Sequence, residues 1–147
     1  MRTLNDEEEI TEILRSYRNV AVVGLSRDPK KDSYEVAYYL KSKGYKIIPI
    51  NPFAEKILGE KCYKSLLDIP EDIRKSIEIV NIFRPSKDVL SIVEQALQLR
   101  RKYCRPFVIW MQIGIVNQDA AKIAEEAGMK VLMDKCIMRE LKERQKS

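Results

Sequence analysis

The sequence predicts an α/β fold with a doubly wound parallel sheet, and three features carry that expectation. Five short apolar runs, at 20–24, 46–51, 77–83, 106–111 and 130–133, alternate with segments of helical periodicity. Each run is nearly continuous in apolar residues, as in strands covered on both faces. Each run stops at glycine, proline or a polar residue, so a turn separates strand from helix.

The elements follow in order. An amphipathic helix is expected over 6–17, where Ile10, Ile13, Leu14 and Tyr17 recur at helical spacing and glutamates in the first turn suit the helix dipole. The first strand runs from Val20 to Gly24. Ser33 is read as the cap of a second helix, with Val36, Tyr39 and Leu40 inward and Gly44 at its end. The second strand, Lys46 to Asn51, is halted by Pro52; 56–61 reads as a turn or short hairpin and 65–70 as one helical turn. The third strand, Ile77 to Phe83, stops at Arg84-Pro85, and Ser86 is read as capping a long helix to about Tyr103. The fourth strand runs from Pro106 to Met111, Asn117 caps a helix through Ala127, and Gly128 suits the position just past its end. After the fifth strand, Lys130 to Met133, Asp134 is read as the cap of a last helix to about Glu143. Right-handed crossovers then give a Rossmann-like sheet of order 3-2-1-4-5, counting these five strands, in one domain over 1–147 with its core in 19–143.

Composition narrows the chemistry. With 147 residues, 45% hydrophobic and 33% charged, the chain has material for a core, and no apolar run approaches the roughly 20 residues that span a bilayer. Residues 1–9 are polar and acidic, unlike a secretory leader. The three cysteines, Cys62, Cys104 and Cys136, show no Cys-x-x-Cys spacing and are read as reduced thiols of a cytoplasmic protein. The net charge is +5, but basic and acidic residues are interleaved and the densest basic run, Arg100-Arg101-Lys102, closes a helix, so no nucleic-acid partner is expected. Heavy use of Lys, Arg and Glu is a thermophile-like trait. There is no histidine, which excludes an imidazole base, a phosphohistidine and a histidine metal ligand; no catalytic residue and no metal site are assigned.

In an open parallel sheet the ligand crevice lies beyond the carboxyl ends of the strands, where strand order reverses. The residues to inspect are therefore Gly24-Leu25-Ser26, Asn51-Pro52, Phe83-Arg84-Pro85, Gln112-Ile113-Gly114 and Asp134-Lys135-Cys136. The first set leads from a strand into a helix, a geometry that turns backbone amides and the positive helix end toward an anion. Arg27, Lys30 and Lys31 in the same loop add mobile cations. Two features oppose a nicotinamide dinucleotide. Ser26 stands where the second glycine of Gly-x-Gly-x-x-Gly belongs, and the second strand ends in Asn51, not in an acidic residue for a ribose hydroxyl. The Gly-Lys-Ser/Thr of an ATP-hydrolysing phosphate loop is also missing. A ligand carrying several phosphates suits the basic loop better. If Asp134 is the cap, Cys136 falls in the first helical turn, where the dipole favours thiolate. Trp110 is expected in the core, and Tyr38 and Tyr39 cannot both face the sheet.

Taken in order, Val22-Val23-Gly24-Leu25-Ser26, Lys30 with Asp32-Ser33-Tyr34, Ile50-Asn51-Pro52, Ile57-Leu58-Gly59, Tyr63-Lys64-Ser65-Leu66, Phe83-Arg84-Pro85, Trp110 through Ile115 and Met133-Asp134-Lys135-Cys136 resemble the CoA-binding domain family over about residues 15 to 140. The family is similar to the CoA-binding domain of the succinyl-CoA synthetase alpha subunit, here expected to stand alone. That resemblance implies coenzyme A or an acyl-CoA as ligand. Gly24, Leu25 and Ser26 would face the pyrophosphate, and Arg27, Lys30 or Lys31 would reach the 3′-phosphate or the diphosphate. Asn51 and Pro52 would border the adenosine. Phe83, Arg84 and Pro85 would line the adenine or the bend into the pantetheine arm, with Gln112, Ile113 and Gly114 beside the pantetheine. A CoA thiol at Cys136 could form a mixed disulfide under oxidation. The synthetase reaction itself uses a phosphohistidine and a second domain, and this chain has no histidine. The expectation is therefore noncovalent binding without catalysis of its own. The alternatives are a small NAD(P)-dependent oxidoreductase using the same crevice and a nucleotide-binding subunit of a larger acyl-CoA enzyme; a homo-oligomer is also open.

Overall fold

The computed structural model describes residues 6–145. In chain order its elements are α1 (Asp6–Ser16), β1 (Asn19–Val23), α2 (Asp32–Ser42), β2 (Lys46–Ile50), β3 (Lys56–Ile57), β4 (Glu60–Lys61), a 3-10 turn (Leu66–Asp68), α3 (Glu71–Arg74), β5 (Ile79–Ile82), a 3-10 turn (Ser86–Asp88), α4 (Val89–Tyr103), β6 (Val108–Met111), α5 (Gln118–Glu126), β7 (Lys130–Leu132) and α6 (Ile137–Arg144). β3 and β4 pair as an antiparallel hairpin; the other five strands form one parallel sheet.

The Rossmann-like α/β class and the five strands are as the sequence predicts, but their order is not. The sheet runs β2-β1-β5-β6-β7. The third of the five strands, β5, pairs with β1 (Val20 with Ile79, Val23 with Ile82) instead of lying outside β2. The cause is the connection. Residues 51–78 hold a hairpin, a 3-10 turn and four-residue α3, with no full crossover helix. Leu66 and Ile69 of this connection pack with Ile48, Ala21 and Val93 on the face opposite α2. Crossing on that face, a right-handed connection carries the chain back past β1 to its free edge. The reversal point therefore falls between β1 and β5, and Phe83-Arg84-Pro85, not the Gln112 loop, flanks the first loop.

Two apolar layers enclose the sheet. Ile10, Ile13 and Leu14 of α1, Val36 and Leu40 of α2, and Ile137 and Leu141 of α6 cover Val20, Val22, Ile79, Val108 and Trp110. Val89, Val93, Ala96 and Leu97 of α4, with Ala120 and Ala124 of α5, cover Ala21, Val23, Val80, Ile82, Ile109 and Met111. Trp110 is fully buried, as expected, and its indole N–H donates to the Lys135 carbonyl at 2.9 Å. Tyr39 is half-buried, whereas Tyr38 faces solvent. Among the described residues no helix is long and apolar enough to cross a membrane.

Candidate functional site

The first loop winds on itself. The Ser26 amide donates to the buried Ser33 hydroxyl at 2.9 Å, the Asp28 amide donates to the Ser26 hydroxyl at 3.0 Å, and the Lys30 amide donates to the Asp28 carboxylate at 2.9 Å. Ser33 is thus not the cap of α2. Lys31 holds that position, and the Ser33 hydroxyl serves the loop seven residues behind it. With Ser26 satisfied internally, the amides of Leu25 and Arg27 are the loop donors that make no hydrogen bond among the described residues. Leu25 is fully buried, so the Arg27 amide is the exposed one of the two; it lies near the start of α2, whose first amides have no partner within the helix.

Gly24 is what lets this loop sit against the third strand. Its φ is +88°, and a Cβ on it would stand 2.9 Å from the Phe83 carbonyl oxygen. Asn51 fastens the second loop to the first. Its side-chain amide donates to the Leu25 carbonyl at 2.9 Å while its oxygen accepts from the amides of Phe53 and Ala54. Its side chain is therefore spent inside the protein.

Two further residues read as caps act in the same way as Ser33. Ser86 does not cap α4; its hydroxyl accepts from the Val116 amide at 3.0 Å, tying the fourth loop to the third. Asp134 does not cap α6; it sits at φ +59° and accepts from the Gly114 amide at 2.7 Å, tying the fifth loop to the fourth. In each case a tertiary amide replaces the local helix end as partner. Asn117, by contrast, caps α5 as the sequence predicts, accepting from the Ala120 amide at 3.0 Å. Because α6 starts at Ile137, Cys136 is its N-cap residue and lies outside the first helical turn.

The close approach of Gly24 to Phe83 divides the carboxyl edge. On one side lies a hollow of about 460 Å³, lined by Gly24, Ile50, Asn51, Pro52, Phe53, Lys64 and Arg84 among others. A larger hollow of about 1010 Å³ lies next to it, sharing Asn51, Pro52, Phe53 and Lys64 and adding Arg27, Lys56, Lys61 and Cys62. On the other side is a cleft of about 250 Å³ lined by Asp32, Glu35, Phe83, Gln112, Ile113, Cys136 and Arg139. Arg84 is ion-paired to Asp88 at 3.0 Å at the rim of the first hollow. Burial pushes the Cys62 thiol above its usual range.

The structure therefore gathers Gly24, Arg27, Asn51, Pro52 and Arg84 around the two neighbouring hollows, and Phe83, Gln112, Ile113 and Cys136 around the cleft. The other expected residues stand apart from both. Leu25 is fully buried, and Lys30, Lys31, Pro85 and Gly114 are exposed but line neither space, as does half-buried Ser26. Gln112 is buried, its side-chain oxygen accepting from Asn81 and from the Ile137 amide, each at 3.0 Å. This oxygen, and no residue of the fifth loop, satisfies the first amide of α6.

Sequence reasoning missed three groups. Phe53 is 85% exposed at the rim shared by the two hollows. Lys56, Lys61 and Lys64 come from the hairpin and the loop after it. Asn81 is a fully buried polar residue within β5, and its side-chain oxygen has no partner among the described residues. Asn81 was visible as a polar residue between Val80 and Ile82 inside an apolar run. The lysines gave no signal, because only the folded hairpin carries them back over the strand ends. Among the described residues no group of acidic or sulfur side chains is gathered as a metal set.

A five-stranded parallel sheet covered by helices on both faces, with its order reversing between β1 and β5, is a Rossmann-like α/β fold. The chain belongs to the CoA binding domain family, whose model matches residues 18–142. It is similar to the uncharacterized protein YneT of Bacillus subtilis, 39% identical over 129 residues that make up 88% of this chain and 89% of that one. It is also 40% identical over 83 residues to an ADP-forming acetate–CoA ligase II of Archaeoglobus fulgidus; the match covers 55% of this chain but 12% of the ligase. Among solved structures, a hypothetical protein from Pyrococcus horikoshii superimposes with a TM-score of 0.84 at 37% identity, covering 97% of this chain and 98% of that one.

Proposed function

We propose that this chain binds coenzyme A or an acyl-CoA noncovalently at the carboxyl edge of its sheet, without chemistry of its own. The observation that carries the reading is the first loop. The Arg27 amide, which makes no hydrogen bond among the described residues, and the start of α2 converge beside Gly24, which brings the backbone against Phe83. Such a convergence suits a diphosphate. The two neighbouring hollows on the Asn51 side would take the nucleotide, and the cleft of Gln112 and Cys136 lies on the other side, toward which a pantetheine arm would run. Family membership and the similarity to an acetate–CoA ligase support the same ligand class.

Thermal unfolding with added ligand tests this. At a hundredfold excess over its Kd a ligand of the native state adds about 2.7 kcal/mol. For a chain of this length that is a rise of roughly 5–10 °C in Tm. CoA is expected to give that rise and NAD to give none. An equal shift with NAD, or no shift with CoA, would refute the reading. A second reading, a subunit of a larger acyl-CoA enzyme, draws on the ligase relative, which carries the similar segment within a much longer chain. A partner chain retained through purification would favour it.

A further inference from the structure

Asn81 stands within the apolar strand β5, fully buried, and its side-chain oxygen has no partner among the described residues. Such an oxygen is destabilising, and an apolar residue of the same size would avoid it. What Asn81 supplies is a donor. Its side-chain nitrogen lies 3.0 Å from the Gln112 oxygen and 3.4 Å from the Trp110 carbonyl. The same Gln112 oxygen accepts the Ile137 amide at 3.0 Å. A backbone amide can only donate, so these contacts leave the Gln112 side chain one orientation, oxygen inward and nitrogen outward. Gln112 lines the cleft and is itself 5% exposed. Its nitrogen makes no hydrogen bond among the described residues and is not one of the fully buried orphan atoms. It is therefore the polar atom that this buried residue turns to the cleft.

The rest of the lining narrows what that nitrogen can meet. Phe83, Ile113, Ile115 and Met138 are apolar, and the carboxylates of Asp32 and Glu35 stand at exposed positions. A buried donor with no buried carboxylate or amide acceptor beside it matches a group that accepts without donating. A thioester carbonyl is such a group, whereas an amide brings an N–H that needs an acceptor of its own. We propose that the cleft reads the thioester carbonyl of an acyl-CoA, with the Gln112 nitrogen as donor and Asn81 as the residue that positions it. The inference rests on the ligand class proposed above and selects, within that class, the acylated form over the free thiol.

Calorimetric titration of the full chain with acetyl-CoA and with S-ethyl-CoA, a thioether of the same length without the carbonyl oxygen, tests it. The wild type is expected to bind acetyl-CoA about five- to tenfold more tightly, the scale of one hydrogen bond. Gln112→Glu keeps one oxygen for the two inward donors and turns a second acceptor to the cleft. It should reverse the order and bind S-ethyl-CoA the more tightly. Asn81→Leu leaves Gln112 held by the Ile137 amide alone. It should bring the two ligands within about twofold of each other while keeping the affinity for S-ethyl-CoA. Equal losses for both ligands in Asn81→Leu would make Asn81 a structural residue and overturn its positioning role. Gln112→Glu decides the role of the donor even if Asn81→Leu fails to fold. Equal affinity of the wild type for the two ligands, the result expected if Gln112 meets a pantetheine carbonyl, would overturn this inference alone, as would an undiminished preference in Gln112→Glu. Failure of both ligands to bind would overturn the ligand reading and this inference with it.

Discussion

At the amino edge of the sheet, Arg18 donates to the Leu14 and Tyr17 carbonyls at 2.7 and 3.0 Å and lays its guanidinium over the Tyr45 ring. The Glu78 carboxylate accepts the amides of Arg18 and Asn19, and Arg100 donates to the carbonyls of Ala127, Cys104 and Pro106. At the carboxyl edge, Arg27, Lys56, Lys61 and Lys64 line a hollow with no ion pair among the described residues, and the Arg27 amide makes no hydrogen bond among them. The same residue types close one edge and leave the other unfinished. Four cations without an ion pair around one hollow are a departure from local consistency of the kind that functional sites show.

The sharpest break of this contrast compares two glycines. Gly24 at the carboxyl edge and Gly128 at the amino edge have similar φ, +88° and +91°. A Cβ on Gly24 would strike the Phe83 backbone oxygen at 2.9 Å, whereas one on Gly128 would meet the end of the Arg100 side chain at 2.8 Å, which can swing away. Gly24→Ala should cost about 3 kcal/mol in denaturant unfolding and abolish CoA binding, and Gly128→Ala about half as much with binding intact. Equal losses in the two variants would show that the Gly24–Phe83 contact is not what holds the first loop.

Much of this was legible in advance, and the failures share a cause. The apolar runs revealed the strands, and Asn117 and Gly128 marked real helix ends. The order of strands was hidden because periodicity says which segments are strands but not which are neighbours. Only the packing of Leu66 and Ile69 over the far face decides that the third strand lies beside the first. Ser33, Ser86 and Asp134 were misread for a related reason. A capping rule weighs only nearby amides, while in the folded chain the amides of Ser26, Val116 and Gly114 stand within reach. The basic first loop was legible; the hairpin lysines, which owe their place to tertiary folding, were not.

A pair of arginines sharpens the comparison further. Arg100→Met should lose about 1–2 kcal/mol of stability, leaving three carbonyls to water, with no change in CoA affinity. Arg27→Met should do the reverse: unchanged unfolding and a CoA affinity reduced about tenfold. A stability loss in the Arg27 variant would make it a structural arginine like its counterpart. Ser33→Ala comes next. It strands the Ser26 amide at a half-buried position, and about 1 kcal/mol of stability should go with it. CoA affinity should also fall, through a looser loop, and unaltered affinity would mean the Ser26–Ser33 bond does not shape the site.

The smallest effect is expected at the amino edge and depends on pH. The Tyr45 hydroxyl is buried and donates to the Leu14 carbonyl at 2.6 Å. Burial raises its pKa above the ordinary 10.0, with Arg18 opposing the shift. Because the folded protein holds this proton more tightly than the unfolded chain does, the bond's contribution is complete below pH 10 and drains away as pH rises through the folded value. Tyr45→Phe should therefore cost less than about 1 kcal/mol at pH 8. The gap between wild type and variant should narrow as pH rises above 10, while CoA affinity, set at the opposite edge, stays the same in both. A gap that held constant across that range would mean that Tyr45 is stabilised by packing alone. The closed edge would then owe its closure to the arginines and Glu78.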